Sequence, residues 1–442
     1  MPWQNAPMSG LQRIAVIVVA VIAVLGLAVV ALALVDGDPT AGPGSSATAR
    51  PSATTSPSAE PERSDSAGPD DEEILAVLRE IEEQVIAIRG LPAAVIGDPD
   101  LLSRDEARVE LRRLFDENYP TEDRERDNTA LRALGLIAPD QDVAELQLQL
   151  IGDSVLGFYD DDTKHMVVVS DAGLDAQAKM TYAHEYAHAL QDAAFGLDSL
   201  ETDAEGQDDR GLARTALIEG DASLAMVSWA FAHLTPEELA EIATEPLPDT
   251  SGIPSWMVGQ LVVFPYTEGL AWASAMAGPD PFEPEFTEID AAFEAPPDSS
   301  EQIVHVEKWE AREEPVAVEV PDLAAALGDG WTEIDDTPIG EASLRMMLEF
   351  YGVPRGEAMD ATAGWGGDRV VIASGADDAF AVAWRLAWDT PADAQEFLAA
   401  YRSIVNAFAF PASVIEVSGG EILVAHASTE DLLRRTVDAA ND

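Results

Sequence analysis

The chain contains no cysteine, which excludes disulfides, thiolate metal sites and cysteine nucleophiles together. Positive charge is also scarce: 25 Lys and Arg against 82 Asp and Glu give a net charge of −57. A polyanion of this strength repels nucleic acid and anionic lipid headgroups, so nucleic-acid binding and docking through a basic patch are set aside. The ordinary consequence of such acidity is solubility. Lysine occurs only at Lys164, Lys179 and Lys308, and histidine only six times. Apolar residues are not lacking: at 47% of 442 positions they suffice for two or three domain cores.

Residues 14–35, "IAVIVVAVIAVLGLAVVALALV", form an uninterrupted apolar run that as a helix reaches roughly 33 Å, enough to span a bilayer core. Arg13 precedes the run, and Asp36 and Asp38 follow it. This bias predicts residues 1–13 in the cytoplasm and the bulk of the chain outside the cell. "ALA" at 31–33 leaves a second possibility, cleavage and secretion. Residues 36–70, rich in Pro, Ser, Thr and Ala, have almost nothing to bury and read as a disordered tether.

Folded sequence is expected from Asp71. Ile74, Val77, Leu78, Ile81, Val85 and Ile88 recur at helical spacing. Ser103 with Glu106 forms a capping-box signature ahead of a second amphipathic helix, and further helix follows through residues 128–151. "SVLGFYDDDTKHMVVVSD" reads as a hairpin turning at Asp160–Lys164. A helix then runs from Asp175 to Gly196, and another from about Asp209 to His233. Residues 235–330 read as irregular structure and short helices. After about Gly330 come a loop and helix, two strands, a helix, a glycine-turned hairpin and a closing helix, which predicts a small α+β domain over 331–442. The expected fold class is therefore α+β, with a mainly helical domain over 71–330 that carries a small hairpin.

Two of the six histidines sit in "TYAHEYAHALQDAAFG", residues 181–196. His184 and His188 are four apart, so on a helix both imidazoles can reach one metal ion. Glu185 adjoins the first histidine as a candidate general base for a water activated by the metal. Two imidazoles and a carboxylate suit zinc and leave its fourth position for water or substrate. Glu219 is the expected third ligand. It shares a helical stripe with Leu212, Ala216, Ser223 and Met226, and a carboxylate buried there needs a counter-charge, either a metal or an arginine. Gly220 beside it would let the two helices approach closely. Asp221 is the fallback ligand, or an acceptor from a ligating histidine. Asp192 lies about 12 Å along the helix from His184, and His233 ends the second helix, so neither suits the same ion. His165 and His426 fall in strand patterns.

His184-Glu185-x-x-His188 with downstream Glu219 resembles the gluzincin group of zinc metallopeptidases, the thermolysin-like arrangement. "GFYD" (157–160), "HEYAHALQD" (184–192), "ALIEGDA" (216–222), "FPYTEG" (264–269), "EQIVHVEKW" (301–309) and "GWGGDR" (364–369) extend the resemblance. They are similar to stretches of membrane-tethered or exported bacterial proteins regarded as metallopeptidases. The resemblance implies a zincin-like domain in which a strand before the motif helix aligns the substrate backbone. It implies one Zn2+ per chain on His184, His188 and Glu219, with Glu185 as general base. An oxyanion donor outside the motif is also implied, for which Tyr266 and His305 are the candidates. The chain departs from the thermolysin-like pattern four residues after the third ligand, where Ser223 stands in place of aspartate, with Asp221 two after it. The expected function is a membrane-anchored, extracellular zinc metallopeptidase acting on protein or peptide substrates. The alternative is a surface-tethered binding or scaffold protein with a structural or vestigial zinc site.

Overall fold

The computed structural model describes residues 71–441 apart from 153–155, 171–172, 201, 203, 205, 245–248 and 281–282. The apolar run 14–35 and the tether 36–70 lie outside the described residues. Among the described residues no helix is long and apolar enough to cross a membrane. The architecture is α+β: a helical part with a small sheet, followed by a five-stranded antiparallel sheet with its own helices.

Helix α1 (Asp71–Arg89) buries Ile74, Leu78, Ile81, Val85 and Arg89 at spacings of three and four, the single apolar stripe its sequence encodes. A short strand β1 (Asp100–Leu102) leads into α2 (Arg104–Asn118), whose capping box forms with both reciprocal bonds, Glu106 N to Ser103 Oγ at 3.3 Å and Ser103 N to Glu106 Oε2 at 2.9 Å. α3 (Thr121–Leu134) and α4 (Val143–Gly152) complete the layer. The hairpin follows as β2 (Gly157–Asp160) and β3 (His165–Val169), with β3 central, antiparallel to β2 and parallel to β1. Asp160 caps the turn by accepting from the backbone N–H groups of Asp162 and Thr163, which is the work of an Asx turn. β1 has no counterpart in the sequence reading, because three residues are too few to show an alternation.

The two long helices match the expected segments. α5 (Ala176–Phe195) starts at Asp175, whose side chain accepts from Ala178 N, and ends at Gly196. α6 (Asp208–His233) buries nearly every residue from Asp208 to Ala230. A π-helical run, Gly259–Glu268, continues directly into α7 (Gly269–Met276). Pro265 inside it has no N–H to give the carbonyl four residues back. The ladder shifts to five-residue spacing, Gly269 N donating to Phe264 O.

Gly220 was expected to bring α6 close to α5, but its close neighbour is α7. A Cβ at Gly220 would lie 2.3 Å from Gly269 O, and one at Gly269 would lie 2.3 Å from Ala216 O. The two backbones touch because neither glycine has a side chain.

The second sheet runs β4 (Thr332–Thr337), β5 (Trp365–Ser374), β6 (Phe380–Trp388), β8 (Ile422–Ala427) and β7 (Ala412–Glu416) in spatial order, all antiparallel. β4, "TEIDDT", lies in a stretch read as loop; it carries one apolar residue and pairs at the sheet edge across a register shift. Side chains alternate between two cores. Val370, Ile372, Val382, Trp384, Leu386, Ile422 and Val424 join the large core shared with the helical part. Val371, Ala373, Ala381, Ala383, Leu423 and Ala425 face the closing helix α10 (Glu430–Asn441) and the short helix Leu323–Leu327. The chain from residue 331 onward is thus an α+β unit whose larger face is completed by α8 (Gly340–Phe350), α9 (Pro391–Ile404) and the preceding helices. "GWGGDR" is explained here: Asp368 accepts from Trp365 and Trp384 Nε1 and from the N–H groups of Ile339 and Gly340, tying β5 to the start of α8.

This packing makes Gly220→Ala a test of the helix contact. The substitution would stabilise an open helix by about 1 kcal/mol, whereas the contact with Gly269 O makes it destabilising, by roughly 1–3 kcal/mol. Thermal unfolding decides the sign, and a raised Tm would contradict the close approach. His426 is buried between Tyr401 Oη at 2.8 Å and Ala133 O at 3.0 Å, and burial lowers its pKa from 6.5 to about 4. The unfolded chain therefore binds a proton that the folded chain refuses between these values, and stability falls as pH drops through that window. Relative to His426→Gln, the wild type should lose roughly 3 kcal/mol between pH 7 and pH 4; parallel unfolding curves would rule this out.

Candidate metal centre

α5 and α6 pack side by side and carry three donor atoms to one point. His184 Nε2 lies 3.1 Å from Glu219 Oε2, His188 Nε2 lies 3.0 Å from His184 Nε2, and His188 Nε2 lies 3.4 Å from Glu219 Oε2. The imidazole planes stand nearly perpendicular, at 87°, with centroids 4.6 Å apart. All three residues are at least 96% buried. Helical spacing accounts for the histidine pair, and the stripe Leu212, Ala216, Glu219, Ser223, Met226, buried throughout, accounts for the carboxylate. Glu219 is partnered by the two histidines, not by an arginine.

A tetrahedral zinc ion with bonds of about 2.0–2.1 Å sets its ligands about 3.3 Å from one another. The three separations of 3.0, 3.1 and 3.4 Å fit that edge. Two nitrogens and a carboxylate oxygen, with no thiolate, also match zinc chemistry. Burial alone would neutralise Glu219, but the charge on His188 and the hydrogen bonds from both histidines outweigh it and hold the carboxyl well below the usual range. Burial likewise pulls His188 down, and the Glu219 charge more than reverses that. His184 stays lowered, chiefly by burial.

Glu185 is 1% exposed, on the face turned toward the hairpin. Its Oε2 accepts from the backbone N–H of Tyr159 on β2 at 3.1 Å, while Oε1 is buried with no hydrogen-bond partner among the described residues. Burial first and the Glu219 charge second push its carboxyl up to about 8, against the opposing pull of His188. Asp192 does not join the cluster: it accepts from Tyr159 Oη at 2.8 Å and pairs with Lys164 Nζ at 2.7 Å, pinning the hairpin to α5.

Of the two oxyanion-donor candidates, Tyr266 stands at the cluster. Its ring centroid is 5.9 Å from that of His184, and its buried hydroxyl lies near Glu219 without meeting hydrogen-bond geometry. Burial and then the Glu219 and Glu185 charges raise its pKa far above 10, so it keeps its proton. The π-helical run presents this tyrosine, and the contact of Gly220 with Gly269 seats that run against α6. His305 has a different engagement: its Nε2 is 3.0 Å from Glu341 Oε1 on α8, and that contact raises its pKa. His233 stacks on Trp229, and His165 pairs with Asp100 across the small sheet.

Asp221 is neither a ligand nor a direct acceptor from histidine. It is bound by Gln191 Nε2 at 2.8 Å and by Arg89 Nε at 2.8 and 3.0 Å to its two oxygens. Gln191 Oε1 in turn lies 2.8 Å from His188 Nδ1. Gln191 and Arg89 are absent from the sequence reading. Gln191 carries a usable signal, standing three residues after His188 and hence on the same helical face; Arg89, 132 positions from Asp221, carries none. A second acidic group, Glu301, Glu313 and Asp389, is filled by Lys308 Nζ, which pairs with all three.

Comparison with known proteins reaches only the C-terminal unit. Residues 330–437 match a family described as a domain of unknown function, DUF8575. No curated protein and no solved structure matches the chain. The match covers about a quarter of the sequence and includes none of His184, Glu185, His188, Glu219 or Tyr266.

Proposed function

We propose that the protein is a zinc-dependent peptidase with a zincin-like domain, anchored at the outer face of a membrane through residues 14–35. The observation that carries the reading is the convergence of two imidazole nitrogens and one carboxylate oxygen at tetrahedral-edge separations in a buried site, with an adjacent glutamate held by only one oxygen. His184, His188 and Glu219 would hold the zinc, one per chain. When bound there, zinc supplies Lewis-acid polarisation of a substrate carbonyl and lowers the pKa of a water toward neutrality.

Glu185 takes a proton at Oε1 while the Tyr159 N–H fixes Oε2, and it returns that proton to the leaving amine. Tyr266, which burial keeps protonated, donates to the oxygen that gains charge as the carbonyl is attacked. The resemblance to gluzincins agrees with these roles for His184, Glu185, His188 and Glu219. The binding or scaffold alternative has no use for a general base beside the ligands.

The test is hydrolysis of a diverse peptide library by the zinc-loaded, full-length chain, with Glu185→Gln beside it. Turnover should fall by several orders of magnitude in the variant while its zinc content stays at the wild-type level. Equal cleavage by both would remove Glu185 from the reaction. A zinc-loaded wild type that cleaves nothing would favour the binding alternative.

A further inference from the structure

The buried side chains Gln191, Asp221 and Arg89 take no part in the reaction as outlined, yet they form a continuous chain of contacts ending on His188. Gln191 Nε2 lies 2.8 Å from Asp221 Oδ2 and 2.9 Å from the carbonyl oxygen of Ile218. A carbonyl and a carboxylate paired with Arg89 are acceptors only, so this end of the amide must be the NH2. The other end, Oε1, therefore faces His188 Nδ1 at 2.8 Å. Having no proton to give, it requires Nδ1 to carry one. A neutral imidazole with its proton on Nδ1 leaves the lone pair on Nε2, the atom turned toward His184 and Glu219.

Asp221 keeps Gln191 in this orientation, and Arg89 keeps Asp221. The Arg89 and Asp221 side chains are both fully buried. Arg89 also donates to Asp290 at 2.6 Å and lies over the Phe286 ring at 4.5 Å, so the last residue of α1 is fixed from three sides. Resting on the metal-centre reading, we propose that Gln191, Asp221 and Arg89 are positioning residues that lock the proton of His188 on Nδ1 and commit its Nε2 to the metal. The chain of contacts links α1, the first described helix, to a ligand on α5, with α6 supplying the middle link.

The test uses the full-length chain, with zinc affinity measured by chelator competition. Asp221→Asn and Gln191→Glu each break the relay's polarity, and each should weaken zinc binding about 10–100-fold. Single variants that fold with wild-type zinc affinity would overturn the relay while leaving the metal centre standing. A wild type that takes up no zinc would overturn both. A measurement that needs no variant covers misfolding: in the zinc-loaded, 15N-histidine-labelled wild type, His188 should carry its proton on Nδ1. A proton on Nε2 would overturn the proposal.

Discussion

The constraint on which the rest depends is that a carboxylate and two imidazoles have been moved out of water into the middle of two packed helices. Glu219 on α6 could not be buried as a carboxylate alone, since an unpaired buried charge costs several kcal/mol, and His184 and His188 on α5 are its partners. Convergence solves the problem locally, and it dictates the surroundings. Ala183, Ala187 and Ala189 keep α5 narrow, and all three are fully buried. The hairpin closes over Glu185 through the Tyr159 N–H and is fastened by Asp192, which binds both the Tyr159 hydroxyl and Lys164.

Positioning extends well beyond the two helices. The π-helical run that presents Tyr266 owes its register to Pro265 and its seat to the contact of Gly220 with Gly269. Both of its ends are held by the C-terminal unit: Glu268 pairs with Arg345 at 2.9 Å and Arg355 at 3.2 Å, and Gly259 lies against Met346. His305 belongs to the same junction through Glu341. The C-terminal unit is therefore joined to the element that carries Tyr266, and the large-residue face of its sheet is buried by α8, α9 and the helical part together.

The chemistry-bearing residues were legible because they follow helical arithmetic. His184 and His188 share a face by spacing, and Glu219 declares itself as the one carboxylate in an apolar stripe. Capping signals at Ser103, Asp175 and Gly196 gave helix ends to within a residue. What the sequence hid depends on contacts between distant segments. Arg89 meets Asp221 across 132 positions, and nothing local to either announces the pair. Gly220 signals close approach without naming the partner, so the sequence points to α5 where α7 stands. β1 and β4 were invisible because one is three residues long and the other is mostly acidic. Tyr266 and His305 looked equivalent, and only the packing separates a tyrosine beside the imidazoles from a histidine engaged by Glu341.

The most direct test of the account is the metal content of the purified full-length chain by elemental mass spectrometry, with Glu219→Ala measured beside it. One zinc per chain in the wild type, lost or much reduced in the variant, is the predicted result. A wild type without zinc after incubation with it would make His184, His188 and Glu219 a buried ion-pair cluster. Zinc retained in full by the variant would place the ion elsewhere.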